Sequence, residues 1–109
     1  MNQTLLNTLA EPNRFRIVEY LKEGPRTVGE ISDHLQIRQP QASKHLRVLN
    51  EAKIVEVQAE ANRRIYKLRP EPFYALEEWL VSYRNIWEDR FERLDTYFSD
   101  LQKKNGEND

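Results

Sequence analysis

Apolar residues at helical spacing divide residues 27–52 into two short helices. Their inward-facing positions are Ile31, Leu35, Ala42, Leu46 and Leu49. Thr27 is placed to cap the first helix, because Glu30 follows three residues later and its carboxylate can accept from the free amide of the cap. The second helix is predicted to begin at Gln39, since Pro40 is tolerated in a first helical turn. The pattern therefore predicts two helices joined by a tight turn.

The polar side chains of the second helix gather near its start and face away from its apolar positions. They are Gln39, Ser43, Lys44 and Arg47. Amide, hydroxyl and cationic groups on one helix face can reach base edges and phosphates in the major groove of DNA. This arrangement predicts a DNA-binding helix-turn-helix in which the helix over residues 39–52 contacts the bases. Gln41, Ser43 and Lys44 are the better candidates for base contacts. Arg47 lies one turn beyond Ser43, which suits a phosphate at the groove edge.

Two further helices are predicted ahead of this motif. Leu5, Leu6 and Leu9 indicate a short opening helix. It ends before Pro12, which begins the second helix. The predicted inward face of that helix consists of Phe15, Ile17, Val18 and Leu21. Residues 24–25, a Gly-Pro pair, end it, because Gly accepts a positive φ and Pro cannot continue a helix.

The period changes to that of β-strands over residues 54–68. Two runs rich in β-branched and aromatic residues flank a polar stretch, which predicts a β-hairpin. Asn62 is the turn residue expected to take a left-handed conformation. Arg63 and Arg64 then lie at the tip, where they could follow the phosphate backbone or enter a minor groove. Alternatively, they keep an exposed hairpin soluble and unpaired.

A long helix is predicted from Phe73 to about Leu101, where neither Pro nor Gly occurs. Its apolar stripe consists of Phe73, Leu76, Leu80, Tyr83, Trp87, Phe91, Leu94, Phe98 and Leu101. One small domain cannot cover so long a stripe, which favours pairing with the same helix of a second copy. Steps of four break the heptad, so a short helical pair is expected instead of a regular coiled coil. The predicted dimer interface comprises Leu5, Leu6, Phe73, Leu76, Leu80, Tyr83, Trp87, Phe91 and Leu94. A ligand pocket among the aromatic residues is an alternative, but an aromatic dimer core accounts for them without a ligand.

The chain of 109 residues has room for one domain, expected over residues 1–101, with a polar and disordered tail at 102–109. Its net charge of −1 hides a division along the sequence. Residues 38–69 hold eight basic and three acidic residues, a net charge of +5, and residues 71–109 hold five basic and ten acidic residues, a net charge of −5. A basic centre would orient the molecule on a polyanion, although such a centre can also be a solvated face.

Several classes of protein are disfavoured by what the sequence lacks. Without cysteine there is no disulfide, thiolate metal site or thiol redox sensor. No apolar run is long enough for a bilayer, and the start of the chain does not resemble a signal peptide, so we expect a cytoplasmic protein with no membrane partner. No nucleophile–base pair or phosphate-binding Gly loop is present. We therefore expect no enzyme, no catalytic residues and no cofactor.

Three segments resemble the arsenic-repressor (ArsR/SmtB) family. They are residues 11–17 (EPNRFRI), 38–49 (RQPQASKHLRVL) and 63–68 (RRIYKL). The resemblance covers nearly the whole chain, and QASKHLRVL is its most specific part. It implies a mainly α fold with a small β-hairpin, a winged helix-turn-helix of order α-α-α-α-β-β-α with a long C-terminal dimerisation helix. It further implies a homodimeric transcriptional repressor that binds an inverted-repeat operator in double-stranded DNA and is released by an effector. The DNA-binding residues expected are Arg38, Gln39, Gln41, Ser43, Lys44, His45, Arg47, Arg63 and Arg64.

The chain departs from this family at the positions where its metal sensors bind metal. The cysteine pair expected over residues 28–35 is missing, and the last helix has no His. The carboxylates and other donors in those places are Glu30, Ser32, Asp33, His34, Glu77, Glu78, Glu88 and Asp89, and such surface groups are usually solvated. The chain is therefore placed in a branch that does not sense metal, with an unidentified small-molecule effector left open. Lys53 replaces the usual Gly before the hairpin, where a left-handed Lys would be strained, so a different start to the wing is expected.

His45 admits three interpretations. It borders the apolar face of its helix and could be a half-buried packing residue, but in the family's pattern it stands in the recognition helix and could donate to a phosphate. We expect the DNA contact, and a pH switch is the third alternative. For the whole chain, the alternative to a repressor is a winged-helix module that binds another protein without specific DNA binding.

Overall fold

The computed structural model describes the backbone of residues 3–107 and the side chains of residues 3–84, 86, 88, 90 and 92–103. Its elements are α1 (Thr4–Leu9), α2 (Pro12–Leu21), β1 (Arg26–Thr27), α3 (Val28–Leu35), α4 (Gln39–Glu51), β2 (Val55–Glu60), β3 (Arg63–Leu68) and α5 (Glu71–Glu107). This order confirms the predicted mainly helical, winged helix-turn-helix fold and adds a third strand. The chain forms two compact units, residues 1–75 and residues 76–109. No helix in the described part of the chain has the length and hydropathy of a membrane span.

The core of the first unit is built from one face of each short helix and from the base of the hairpin. Its buried apolar side chains are Leu5, Ile17, Val18, Leu21, Ile31, Leu35, Ala42, Leu46, Leu49, Ile54, Val55 and Tyr66. All inward positions predicted for the two helices of the motif are confirmed. The large side chains among them each contribute about 1.5–3 kcal/mol by leaving water.

Two apolar residues were assigned to the wrong surface. Phe15 was predicted to face inward from α2, but it is 51% exposed. It lies two residues before Ile17, which at 100° per residue points it well away from the buried side of the helix. Leu5 was predicted to lie in the dimer interface, but it is only 3% exposed. Because α1 packs against α2, Leu5 is buried in the core of its own chain and offers almost no surface to a partner.

Hydrogen bonds at the helix starts follow the sequence signals. The Glu30 amide donates to Thr27 Oγ1 at 3.2 Å, and the Thr27 amide donates to Glu30 Oε1 at 3.0 Å, so the predicted capping box is complete. Accepting from the Thr27 amide lowers the pKa of Glu30, because the hydrogen bond favours the ionised carboxylate. At the start of α2, Glu11 accepts from the Arg14 amide at 2.8 Å. Side-chain hydrogen bonds therefore define where α2 and α3 begin.

The sheet contains a strand that the sequence did not reveal. The strand order is β1-β3-β2, and both pairings are antiparallel. β1 is only two residues long, Arg26 and Thr27, which is too short for alternation to show. It exists because β3 offers it a free edge, with Arg26 opposite Tyr66. β1 follows α2 in the chain and is hydrogen-bonded to the wing through β3.

The turns of the wing use residues that are unusual for a left-handed backbone. Glu60 pairs with Arg63, which leaves a two-residue turn, and its left-handed residue is Ala61 at φ 56°, not Asn62 as predicted. The register of the strands requires the left-handed conformation at the first of the two turn residues, whichever amino acid stands there. Lys53 takes the left-handed conformation at φ 60°, and β2 begins two residues later, so the Lys does not displace the wing.

α5 is longer than the predicted helix at both ends. It begins at Glu71, with Pro72 in its first turn, and runs to Glu107. It therefore continues through residues that were predicted to form a disordered tail. Gln102 and Lys103 are straight-chain residues that lose little rotamer freedom in a helix, which favours this extension. Residues 108–109 lie outside the described part.

We predict that Thr27→Ala destabilises the first unit by about 1 kcal/mol, because Ala cannot accept from the Glu30 amide. Urea unfolding followed by circular dichroism would measure the loss. Thr27→Ser is the matched control, since it retains the hydroxyl acceptor and should stay within a few tenths of a kcal/mol of the parent. An Ala variant as stable as the parent would show that the capping box contributes nothing.

Candidate nucleic-acid interface

The start of α4 is organised by its own side chains. The Arg38 amide donates to Gln41 Oε1 at 3.3 Å. Because a guanidinium has no acceptor, Arg38 cannot return the interaction, and only this half of a capping box forms. Gln41 is thus partly engaged in beginning the helix. Its amide nitrogen remains the group that can reach a ligand.

The exposed face of α4 carries the predicted polar residues. Gln39, Ser43, Lys44 and Arg47 are all exposed, as expected from the burial of the opposite face. A groove of about 430 Å³ runs between this face and the wing. Its lining residues are Val28, Gln39, Ser43, Leu46, Arg47, Asn50, Val57, Arg64 and Tyr66. The groove brings three of the predicted α4 residues together with Arg64 of the wing, whereas Gln41 and Lys44 do not line it.

Asn50 is a groove residue that the sequence interpretation missed. It continues the line of Gln39, Ser43 and Arg47 by one further turn, at a step of three. That spacing could have identified it, because residues three or four apart share a helix face. Asn is also a side chain that can donate and accept towards a base edge.

A second groove of about 430 Å³ lies between the start of α3 and the tip of the wing. It is lined by Thr27, Val28, Gly29, Gln39, Asn62, Arg63 and Arg64. Val28, Gln39 and Arg64 line both grooves, so the two are contiguous. Free backbone N–H groups at a helix start favour anions, and two guanidinium groups face the same space. This groove suits a phosphate.

The cations of this surface are free or loosely held. Arg47 Nε lies 3.3 Å from Glu51 Oε1, but the two side chains are 82% and 67% exposed. Such a pair contributes about 0.3–0.5 kcal/mol and is readily exchanged for a phosphate. Lys44, Arg63 and Arg64 have no ion-pair partner within the described residues.

His45 lies between α4 and α2, away from this surface. Its side chain is 17% exposed, and its Nδ1 lies 3.7 Å from Glu11 Oε2, too far for a hydrogen bond. That nitrogen is buried and has no hydrogen-bond partner among the described residues. The placement favours the packing interpretation of His45 over the DNA contact that we expected.

The residues predicted to pair two copies differ in exposure. In the second unit Leu80, Tyr83 and Leu94 of the predicted stripe are exposed, and Leu76 is half-buried. In the first unit Leu6 is exposed and Phe73 half-buried. The side chains of Trp87 and Phe91 lie outside the described residues. Apolar residues outside the stripe are exposed as well, namely Val81, Ile86 and Tyr97.

The donors considered for a metal have other surroundings. The Glu30 carboxylate belongs to the capping box, and His34 stacks on Tyr20 with ring centroids 3.8 Å apart. No group of three or more metal-binding side chains occurs within the part of the chain whose side chains are described.

Comparison with known proteins agrees with this geometry. A family model described as a helix-turn-helix domain matches residues 9–58. The chain is 42% identical over 78 residues to the biofilm growth-associated repressor of Agrobacterium fabrum, a match that covers 72% of this chain and 67% of that protein. It is 41% identical over 68 residues to the HTH-type transcriptional regulator Rv2034 of Mycobacterium tuberculosis, covering 62% and 64%. The matches thus span about two thirds of these relatives.

Solved structures show the same fold. An ArsR family transcriptional regulator superposes with a TM-score of 0.70 at 28% identity, covering 79% of this chain and 89% of that one. The transcriptional repressor BigR of Xylella fastidiosa gives 0.61 at 33% identity, covering 77% and 83%. A homodimeric winged helix-turn-helix DNA-binding domain from Mycobacterium bovis gives 0.61 at 25% identity, covering 73% and 77%. With its helix-turn-helix, its wing and these similarities, the chain belongs to the ArsR/SmtB family of winged helix-turn-helix transcriptional regulators, a class of proteins that are not enzymes.

Proposed function

We propose that the chain acts as a homodimeric repressor that binds an inverted-repeat operator in double-stranded DNA through α4 and the wing over residues 54–68. The observation that carries the proposal is the pair of contiguous grooves. They place the polar face of α4, the start of α3 and the wing arginines around one continuous space. The names of the relatives as repressors support the same function.

Each part of this surface has a role that follows from its chemistry. Gln39, Ser43 and Asn50 offer amide and hydroxyl groups to base edges along the groove. Arg47, Lys44 and the wing arginines carry the positive charge for phosphates, which positions the reader without specifying sequence. Arg38 and Gln41 lie at the start of α4, where the side-chain amide nitrogen of Gln41 can donate a hydrogen bond to DNA. The +5 centre of the sequence would attract DNA in the cytoplasm.

Two copies are needed to read an inverted repeat. The exposed Leu80, Tyr83 and Leu94 favour self-pairing of α5, since each large apolar side chain contributes about 1.5–3 kcal/mol when buried. We include Leu6, Phe73, Leu76, Trp87 and Phe91 in the proposed interface. The homodimeric Mycobacterium bovis domain supports this assembly. Two α4 helices would then enter successive major grooves about 34 Å apart. We infer that any effector is a molecule other than a metal ion, because the cysteine and histidine ligands of the family's sensors are missing from this sequence.

Replacing both Lys44 and Arg47 by Ala should weaken operator binding at least about 100-fold, because two phosphate contacts are lost in each half-site. Fluorescence anisotropy with an inverted-repeat duplex selected by the parent protein would measure it. Sedimentation should show an unchanged dimer. Lys22→Ala, which removes an exposed lysine just after the end of α2, is the matched control. Normal operator binding by the double variant would mean that α4 is not the reader.

Salt dependence should identify the phosphate contacts. With about four phosphates neutralised per protomer, log K should fall with log salt at a slope near −7. Arg63→Gln should make the slope shallower by about two, one contact for each protomer. Ser43→Ala should leave the slope unchanged and alter the sequence preference instead. An equal change of slope in both variants would contradict these roles.

Leu80→Glu should dissociate the dimer and weaken operator binding, because a charge cannot be buried in an apolar contact without a partner. Sedimentation and anisotropy would measure the two effects. Val81→Glu places the same charge on the next residue, which points away from the stripe, and should change little. If the two variants behaved alike, the stripe would not be the dimer contact.

A further inference from the structure

A cleft of about 290 Å³ opens where α4, the wing and the start of α5 meet. Lys53, Arg69 and Glu71 provide its charged groups, and Leu5, Ala52 and Ala75 are among its apolar residues. All of them belong to the first compact unit. We call it the Lys53 cleft. The proposed DNA contacts do not use it, because its lining shares no residue with either groove of the interface.

The charge of the Lys53 cleft is positive. Lys53 is exposed and has no ion-pair or hydrogen-bond partner for its ammonium within the described residues. Arg69 Nε lies 3.5 Å from Glu71 Oε2, which offsets one of the two cations. The guanidinium keeps further N–H groups that can donate. One net positive charge and several free donors favour an anion.

The backbone at Lys53 is held in a conformation that Lys disfavours. Its φ of 60° is one that Gly or Asn adopts more easily. Such positions collect at ligand clamps and switch regions. Hydrogen bonds hold the joint on both sides, from the Lys53 amide to the Asn50 carbonyl at 3.0 Å and from the Arg69 amide to the Ile54 carbonyl at 2.9 Å. Lys53 therefore lies between the last turn of α4 and the start of the wing, and its neighbour Ile54 is bonded to the exit of the wing.

Size and apolar lining restrict the ligand further. A volume of about 290 Å³ is near the lower end of ligand pockets, which begin at about 300 Å³. The side chains of Ala52 and Ala75 can contact a compact hydrocarbon group but offer it no hydrogen bond. A large or polyanionic ligand fits neither the volume nor the single net charge.

We propose that the Lys53 cleft binds a small organic monoanion, a carboxylate on a compact apolar group. Lys53 and Arg69 hold the carboxylate, and Ala52 and Ala75 contact the apolar group. Occupation fixes the joint between α4 and the wing and thereby changes the affinity for DNA. This last, regulatory step rests on the proposed function, whereas binding in the cleft does not.

Amide chemical shifts of the isotope-labelled full chain test the binding. The probes are benzoate and hexanoate, with benzyl alcohol and hexanol as uncharged counterparts of similar size. The carboxylates should cause saturable shifts at Ala52, Lys53, Arg69 and Ala75, and the alcohols should not. Lys53→Asn, which keeps a residue tolerant of the left-handed backbone, should weaken binding at least ten-fold, and so should Arg69→Gln. Lys22→Gln, just after the end of α2, is the matched control and should bind as the parent does.

Three results would overturn the proposal. The first is the absence of shifts at the cleft with either carboxylate. The second is equal binding of the alcohols or undiminished binding by both cleft variants, because the cations would then not hold the ligand. The third is a change in the chemical shifts of the cleft residues that depends on protein concentration and not on added carboxylate. Such a change would mean that a second copy covers the cleft.

Anisotropy with the selected duplex tests the regulatory step separately. Saturating benzoate, at ionic strength matched with chloride, should change the operator affinity of the parent at least five-fold and that of Lys53→Asn much less. Binding of benzoate without any change in DNA affinity would overturn the regulatory step and keep the site. Failure of the parent to bind DNA both with and without benzoate would count against the proposed function, and the chemical shifts would still decide whether the cleft binds the carboxylate.

Discussion

The apolar face of α4 packs into the core of the first unit, where Ala42, Leu46 and Leu49 are each 0% exposed. Packing this face rotates the helix to one orientation, since a turn about its axis would bring apolar surface into water. The opposite face must then point outward. Gln39, Ser43, Arg47 and Asn50 hold their common direction for this reason, although none of them contributes to the core. The buried residues of α4 thus determine the direction in which its exposed polar side chains point.

A second constraint is the position of the wing relative to α4. β3 pairs with β2 on one side and with β1 on the other, so the strand that leads into α3 holds the hairpin at the middle of β3, at Ile65 and Tyr66. This pairing brings Arg64 to the groove beside Arg47 and Arg63 to the start of α3. Charges that are far apart in sequence then surround one space. A local field of this kind attracts a polyanion even though the whole chain carries a net charge of −1.

The strength of the local contacts matches these roles. The groups that fix the fold are engaged, such as Thr27 and Glu30 in the capping box and Glu11 at the start of α2. Groups proposed to meet DNA are free or paired weakly, as Arg47 is with Glu51. A cation bound in a strong buried pair would lose as much as it gained on meeting a phosphate. An exposed pair can be exchanged at little cost, which leaves the folded surface ready for a ligand.

The sequence by itself determined the helices of the motif, the capping box of α3 and the inward faces of both helices, because these depend on residues within four positions of one another. It also indicated the hairpin and the family, and most of the outward residues of α4. Tertiary structure decided what depends on distant partners. β1 is a strand only beside β3, Ala61 is left-handed because the register of the hairpin requires it, and His45 faces Glu11 because α2 crosses behind α4. Leu5 and Phe15 show the same limit, since an apolar residue in a short helix has two possible neighbours, its own core or the solvent. Only packing of the whole unit selects between them.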